Sequence, residues 1–143
     1  MRLTAKDNLT FEEIKRINDE SFLGTELPYP SMLRYEFDNG DVFVDEECER
    51  AFRGYAIVNR DGASQPFLWS LATDPTWRGR GVATRLLKEI IGYYSRAGAD
   101  RIDLTVKVDN PAQKLYFDQG WRATRVFPRY YGTEAGIRMR RTL

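Results

Sequence analysis

The 143-residue chain has no histidine, one cysteine (Cys48) and three methionines. These shortages remove whole classes of chemistry. Ser-His-Asp and Cys-His nucleophilic sites are excluded within the chain. So are zinc sites built on His or paired Cys, and a haem held by His. A lone cysteine closes no internal disulfide, so nothing points to an oxidising compartment. Its neighbours Glu46, Glu47 and Glu49 disfavour a thiolate, and with it a nucleophilic role. An excess of one charge is also missing. Lys plus Arg (22) nearly equal Asp plus Glu (21), and a net charge of +1 lacks the basic surplus of a general nucleic-acid binder. No apolar run approaches the ~18–20 residues of a membrane span. Met1-Arg2-Leu3-Thr4-Ala5-Lys6 lacks the apolar region of a signal peptide. What is present is 42% hydrophobic and 13% aromatic residues, too apolar for disorder. The expectation is one soluble, cytoplasmic domain over 1–143, with its own core and no metal.

Hydrophobic spacing supplies the elements. Residues 1–5 suit a short edge strand. Thr10-Phe11-Glu12-Glu13 is a capping-box pattern, and Phe11, Ile14, Ile17 and Phe22 continue it as a helix over about 10–22, broken by Gly24. Leu27-Pro28-Tyr29-Pro30-Ser31 reads as a loop, with a short helix at 31–37 and a turn at Asn39-Gly40. Strands are expected at 41–45 and 51–59, closed by Arg60-Asp61-Gly62, and a strongly apolar one at 67–73, ended by Asp74-Pro75. Val82, Leu86, Leu87, Ile90, Ile91 and Tyr94 form the stripe of a long helix, with Gly98 as its C-terminal cap. Ile102, Leu104, Val106 and Val108 alternate through a strand at 101–108. A helix at about 110–119 starts with Pro111 in its first turn and ends at Gly120. Strands near 121–127 and 136–142 close the chain. The order is that of a mixed α/β domain.

The strongest local signal is Leu71-Ala72-Thr73-Asp74-Pro75-Thr76-Trp77-Arg78-Gly79-Arg80-Gly81-Val82-Ala83-Thr84. An apolar strand enters a glycine-containing turn that opens a long helix. The first turn of a helix leaves N–H groups unpaired and partially positive. Gly79 and Gly81 let a phosphate approach without a Cβ in the way, and Arg78 and Arg80 add forked cationic donors. The pattern suits a diphosphate; the plain alternative is a basic turn before a buried helix. It is not a P-loop, which needs Gly-Lys-Ser/Thr, nor a dinucleotide fingerprint, whose third glycine would fall at Thr84.

Arg-x-x-Gly-x-Ala (Arg78, Gly81, Ala83), after a strand ending at Pro75, resembles the acyl-CoA signature of the GNAT superfamily of N-acetyltransferases. Asp109-Asn110-Pro111-Ala112-Gln113-Lys114-Leu115-Tyr116 followed by Gly120-Trp121 is similar to that superfamily's Asn…Ala…Leu-Tyr…Gly-Phe block. Arg129-Tyr130-Tyr131 through Ile137-Arg138-Met139 looks like the C-terminal hairpin of the branch that acetylates protein N-termini, including ribosomal-protein alanine acetyltransferases. The resemblance covers residues 66–143 well, and 1–65 in layout alone.

The resemblance implies a mixed central sheet in which the strands at 67–73 and 101–108, the fourth and fifth of the family, splay apart around coenzyme A. About four helices would flank it. Acetyl-CoA would be the co-substrate, held by Leu71, Ala72, Thr73, Arg78, Gly79, Arg80, Gly81, Val82, Ala83, Thr84, Asn110 and Tyr116. Backbone amides at Leu71–Thr73 would polarise the thioester carbonyl. Tyr116 matches the family's acid; the alternative is a packing role. Where the N-terminal branch often carries Glu in the fifth strand, this chain has Thr105, which leaves Asp103 as candidate base or as a solvated carboxylate. Either Asn110 or Asp109 takes the family's Asn position. Tyr29, Tyr130 and Tyr131 would frame the acceptor, Glu26 and Glu134 are candidate contacts for its ammonium group, and Trp69 and Trp77 read as core. The expected acceptor is a protein or peptide N-terminal amine. The rivals are a small-molecule amine, polyamine or aminoglycoside-like, and an inactive CoA-binding sensor. The chain would act as a monomer or weak homodimer, without nucleic acid or membrane.

Overall fold

A computed structural model describes residues 1–22, 30–48, 51–60 and 65–143. Helices α1 (Asn8–Ser21) and α2 (Pro30–Asn39) precede strands β1 (Asp41–Cys48), β2 (Ala51–Asn59) and β3 (Phe67–Thr73). One 3-10 turn at Pro75–Trp77 leads into α3 (Val82–Arg96), then β4 (Arg101–Lys107), α4 (Ala112–Asp118), β5 (Arg122–Tyr131) and β6 (Glu134–Thr142). These strands make a six-stranded mixed sheet in the order β1-β2-β3-β4-β6-β5. The expected mixed α/β class is what the chain adopts.

Each face of the sheet has its own core. On the front, Phe11, Ile14 and Ile17 of α1 and Leu33 and Phe37 of α2 pack on alternate residues of β1 and β2, such as Val44 and Ile57. On the back, Leu86, Leu87 and Ile90 of α3 meet Ile102, Leu104 and Val106 of β4, with Trp121 fully buried among them. The alternation of β4 and the stripe of α3 were legible for this reason: each buries one face only.

Several local readings change. The first helix is capped by Asp7, whose carboxylate accepts the Thr10 N–H at 2.8 Å, and Thr10 itself is buried one turn inside. An Asp outranks a Thr as N-cap, so the start moves to Asn8. Residues 1–5 form no named strand; Arg2 makes an isolated bridge to Phe43, and Leu3 N–H donates to Val42 at 2.8 Å. Asn39-Gly40 lies at the expected passage from α2 to β1, but α2 runs on to Asn39, beyond the expected 37, with Gly40 N–H donating to the Glu36 carbonyl at 2.8 Å. β5 runs through Pro128 to Tyr131, beyond the expected 127. It is the sheet's edge, where a residue without an N–H is tolerated. Gly98 does cap α3, with φ +83°. Gly24, Glu26 and Tyr29, and Asp61 and Gly62 of the predicted turn, lie outside the described residues.

One irregularity positions everything that follows. β2 pairs Val58 with Leu68 and Ile57 with Ser70, so Trp69 is an extra residue in β3. A bulge of this kind bends its strand and re-aims its side chains. β3 and β4 are parallel and paired only at Phe67–Asp103 and Leu68–Leu104. The pairing stops where the bulge begins, and the two strands part from there.

Candidate active site

The parted strands leave a cleft through the sheet. Its wide part, about 580 Å³, is lined by Leu71, Ala72 and Thr73 of β3, Arg78 and Ala83 at the start of α3, and Asn110 and Tyr116 beside α4. A narrower part of about 120 Å³ continues to the front, past Trp69 and Ser70 of β3, Thr105 and Lys107 of β4, and Tyr131. Tyr116 borders both. Backbone N–H groups alternate sides along a strand, so every second amide of β3 beyond Leu68 points into the gap. β4 gives them no partner there.

The start of α3 fits a diphosphate. Gly79 and Gly81 have φ of +75° and +81°, in the left-handed region that favours glycine. Gly81 is the N-cap without a side-chain cap, and the first turn holds no acidic residue. A Cβ at Gly79 would meet nothing within 4 Å, so the approach is open. The predicted group divides by role. Arg78 leans over the cleft, 3.2 Å from Ser21 Oγ of α1. Arg80 instead stacks over Trp77 at 5.0 Å and does not line the cleft. Val82 is buried in the back core, so it has only its backbone N–H to offer. Thr84 is half-buried one residue past the cleft lining.

A second close approach seats that helix. A Cβ on Gly54 of β2 would lie 2.7 Å from Val82 Cγ1 and 2.9 Å from the Ala72 carbonyl. Glycine there lets α3 begin against the sheet. Asp74 ties the same corner to α1. Its carboxylate accepts from Arg16 at 2.7 Å and from the Thr76 N–H and hydroxyl at 2.9 and 2.8 Å. Burial pushes its pKa up, but the Arg16 and Thr76 hydrogen bonds outweigh that and hold the carboxyl below the usual carboxylate range.

Tyr116 is buried, with its ring edge-on to Trp121 at a centroid distance of 6.0 Å. Burial, then the nearby Tyr131, raise its pKa well above that of a free phenol. Among the described residues its hydroxyl makes no hydrogen bond. Asn110 accepts the Ala112 N–H at 2.9 Å through Oδ1, which fixes the entry to α4 and holds its own side chain at the cleft. Asp109 lines the wide part as well.

The structure does not bring Asp103 to the gap. It sits at the paired end of β3 and β4, forked by Arg140 at 2.8 and 3.1 Å. Thr105 is at the gap, and its hydroxyl accepts from Arg138 Nε at 2.9 Å. The tyrosine pair splits. Tyr131 lines the narrow part and donates to the Thr105 carbonyl at 3.2 Å, whereas Tyr130 is 45% exposed and stacks on Tyr131 and Phe127 outside it. Glu134 pairs with Lys107 at 3.3 Å. Trp77 is half-buried beneath Arg53 and Arg80.

Sequence reasoning missed Phe22, Ser70, Lys107 and Trp69 as lining residues. Trp69, read as core, borders the gap because it is the bulged residue. Ser70 is held there by a buried chain: Asn18 donates to the Tyr55 hydroxyl at 2.9 Å, and that hydroxyl meets Ser70 Oγ at 2.9 Å. Regular alternation hides a bulge; the aromatic-polar pair Trp69-Ser70 inside an apolar strand was the available signal.

Comparisons with known proteins agree with this geometry. A profile for the acetyltransferase (GNAT) family matches residues 11–121. The chain is similar to an uncharacterised N-acetyltransferase of Methanocaldococcus jannaschii, 32% identical over 134 residues, covering 91% of this chain and 81% of that protein. It is 37% identical over 82 residues to the N-alpha-acetyltransferase RimI of Mycobacterium tuberculosis, covering 54% of this chain and 50% of that one. It is also 32% identical over 108 residues to an L-2,4-diaminobutyric acid acetyltransferase of Nocardia farcinica, covering 73% of this chain and 55% of that one. The chain thus spans about half the length of the last two relatives. A structure of the NatC complex bound to Gag peptide and CoA contains a chain of the same fold, with TM-score 0.83, 23% identity, and coverage of 100% of this chain and 96% of that one. The family match and the parted strands lead to one conclusion: the chain belongs to the GNAT family of acetyltransferases.

Proposed function

We propose that residues 1–143 act as one N-acetyltransferase domain that moves an acetyl group from acetyl-CoA to the α-amine of a protein or peptide N-terminus, by direct attack. The observation that carries the choice of acceptor is the lining of the narrow front part: it contains no carboxylate among the described residues. A polyamine or aminoglycoside carries several positive charges and calls for acidic partners; a single α-amine does not. The RimI relative supports the peptide reading, and the diaminobutyric acid acetyltransferase keeps a small amine as the second one.

When bound, acetyl-CoA supplies an activated thioester. The residues of this chain do the rest. The start of α3, with Arg78, receives the diphosphate. Amides between Leu71 and Thr73 donate to the acetyl oxygen as it gains charge. Tyr116 holds its proton at neutral pH, as a free phenol with a reference pKa of about 10 already does, and burial raises its pKa further. It is therefore ready to donate to the departing sulfur. Among the described residues, no carboxylate lines the narrow part to deprotonate the amine. An α-amine, with a reference pKa of about 7.7–8, is already partly neutral at pH 7.5, whereas a lysine at ~10.4 needs about 3–4 kcal/mol more help. The missing strand carboxylate therefore costs an α-amine acceptor least. We place this activity in the cytoplasm, in a monomer or weak homodimer.

The test is thiol release from acetyl-CoA with N-terminal tetrapeptides, internal-lysine peptides, spermine and an aminoglycoside at pH 7.5. Free N-termini should react fastest, with a rate that rises through pH ~8 as the α-amine loses its proton. Faster reaction of internal lysines or of the polycations overturns the acceptor assignment. Tight acetyl-CoA binding with no release points to the inactive module. Tyr116→Phe should lower kcat by about 100-fold or more while acetyl-CoA affinity changes little. Unchanged turnover removes its role.

A further inference from the structure

The near-zero net charge hides a local imbalance. β5 and β6 together carry Arg122, Arg125, Arg129, Arg138, Arg140 and Arg141 against Glu134 alone. The register makes this sharper. Arg122 stands opposite Arg140, and Arg125 opposite Arg138. Like charges directly across a β-pair are destabilising, so two such pairs in succession call for an explanation. The first has one: Arg140 forks Asp103 at 2.8 and 3.1 Å. The second has none. Arg138 spends Nε on the Thr105 hydroxyl at 2.9 Å, and no carboxylate among the described residues pairs with Arg138 or Arg125.

Both guanidiniums are nevertheless held in place. Arg138 lies between Phe67 and Phe127, 5.1 and 5.3 Å from the ring centroids, and Arg125 stacks on the same Phe127 at 4.8 Å. Stacking orients the planar groups and leaves their edges open to a fork-shaped acceptor. They share the front face with Thr105, which borders the narrow part of the cleft.

We propose that Arg125 and Arg138 form an anion subsite beside the acceptor channel that takes a carboxylate side chain of the acceptor peptide, downstream of its N-terminal residue. Thr105, Arg138 and Arg125 lie on three adjacent strands, so Arg125 is about 10 Å from the channel. An extended peptide advances about 3.3 Å per residue, which places the recognised Asp or Glu at about the second to fourth position. Two open cations suit one carboxylate and fall far short of a nucleic-acid footprint.

The inference rests on the N-terminal acceptor reading and is tested with the whole chain. Tetrapeptides identical but for Glu, Ala or Lys at positions two, three or four are compared by kcat/KM at saturating acetyl-CoA. At one of these positions Glu should exceed Lys by about ten-fold or more, chiefly through KM, and the gain should shrink in high salt. Arg125 is exposed on the edge strand, so its replacement leaves the core intact. Arg125→Ala should bring the Glu-to-Lys ratio close to one, and Arg125→Glu should invert it. Arg138→Gln approaches the same ratio from the partner residue. Equal kcat/KM for Glu, Ala and Lys peptides in the unaltered protein sinks the subsite and leaves the N-terminal reading standing, as does a Glu preference that survives Arg125→Glu. No turnover of any peptide overturns both.

Discussion

The two halves of the sheet are built differently. β1, β2 and the start of β3 are covered on both faces, by α1 and α2 in front and α3 behind. Five consecutive residues of β2, Gly54–Val58, are buried. β5, at the other edge, has eight exposed positions in ten, and Val126 is 57% exposed. The closed half is a helix–sheet–helix sandwich with a core on each face. The open half spends its positions on arginine and tyrosine and keeps its front available. The cleft lies on the border, so one wall is set by dense packing and the other by a strand whose far neighbours face solvent.

The largest expected effect tests that contrast directly. Ile57 has no exposed surface, and Ile57→Ala should cost about 2–5 kcal/mol through lost burial and a cavity. Val126→Ala in the open half should change stability by less than about 0.5 kcal/mol. Urea unfolding of both variants checks this. Comparable losses would mean that β5 is covered in solution, and the division into a closed and an open half would fall.

Next comes the border itself. Gly54→Ala places a methyl 2.7 Å from Val82 Cγ1 and 2.9 Å from a backbone carbonyl that cannot yield. Overpacking of this kind costs about 1–3 kcal/mol. Because Val82 opens α3, the displacement should also weaken acetyl-CoA binding, which calorimetry would measure beside the melting temperature. Loss of stability with undiminished binding would show that the start of α3 tolerates movement.

The same division explains what was legible in the sequence. β4 and α3 were readable because their periodicity is unbroken and each buries one face. The glycines before α3 were readable because a positive φ demands them at Gly79 and Gly81. The resemblance of Arg78, Gly81, Ala83 and Tyr116 to a family pattern located the cleft. The front of the site was not readable. Its position depends on a one-residue bulge at Trp69, and alternation carries no mark of a residue that is skipped. Asp103 looked available because its partner, Arg140, lies 37 residues away and reaches it only through the β4–β6 pairing. Thr10 lost its capping role to Asp7, a better cap in the same local window.

The smallest effect concerns the strap between α1 and the turn before α3. Asp74→Asn keeps an oxygen for the Thr76 N–H but loses the charge facing Arg16. Arg16 is 40% exposed in its side chain and also serves Glu13 and Glu20, so solvent screens the pair and the loss at pH 7 should be about 0.5–1 kcal/mol. The sign of its pH dependence follows from the lowered pKa. The folded state favours the ionised carboxyl more than the unfolded chain does, so its contribution is present above the unfolded value of about 3.9 and fades as the pH falls through the lower folded value. Unfolding free energies of the parent and Asp74→Asn should therefore differ at pH 7 and converge as the pH drops below about 4. A gap that stays constant into acid would mean that Asp74 acts by shape alone, and that α1 is fastened to the cleft's border by packing rather than by charge.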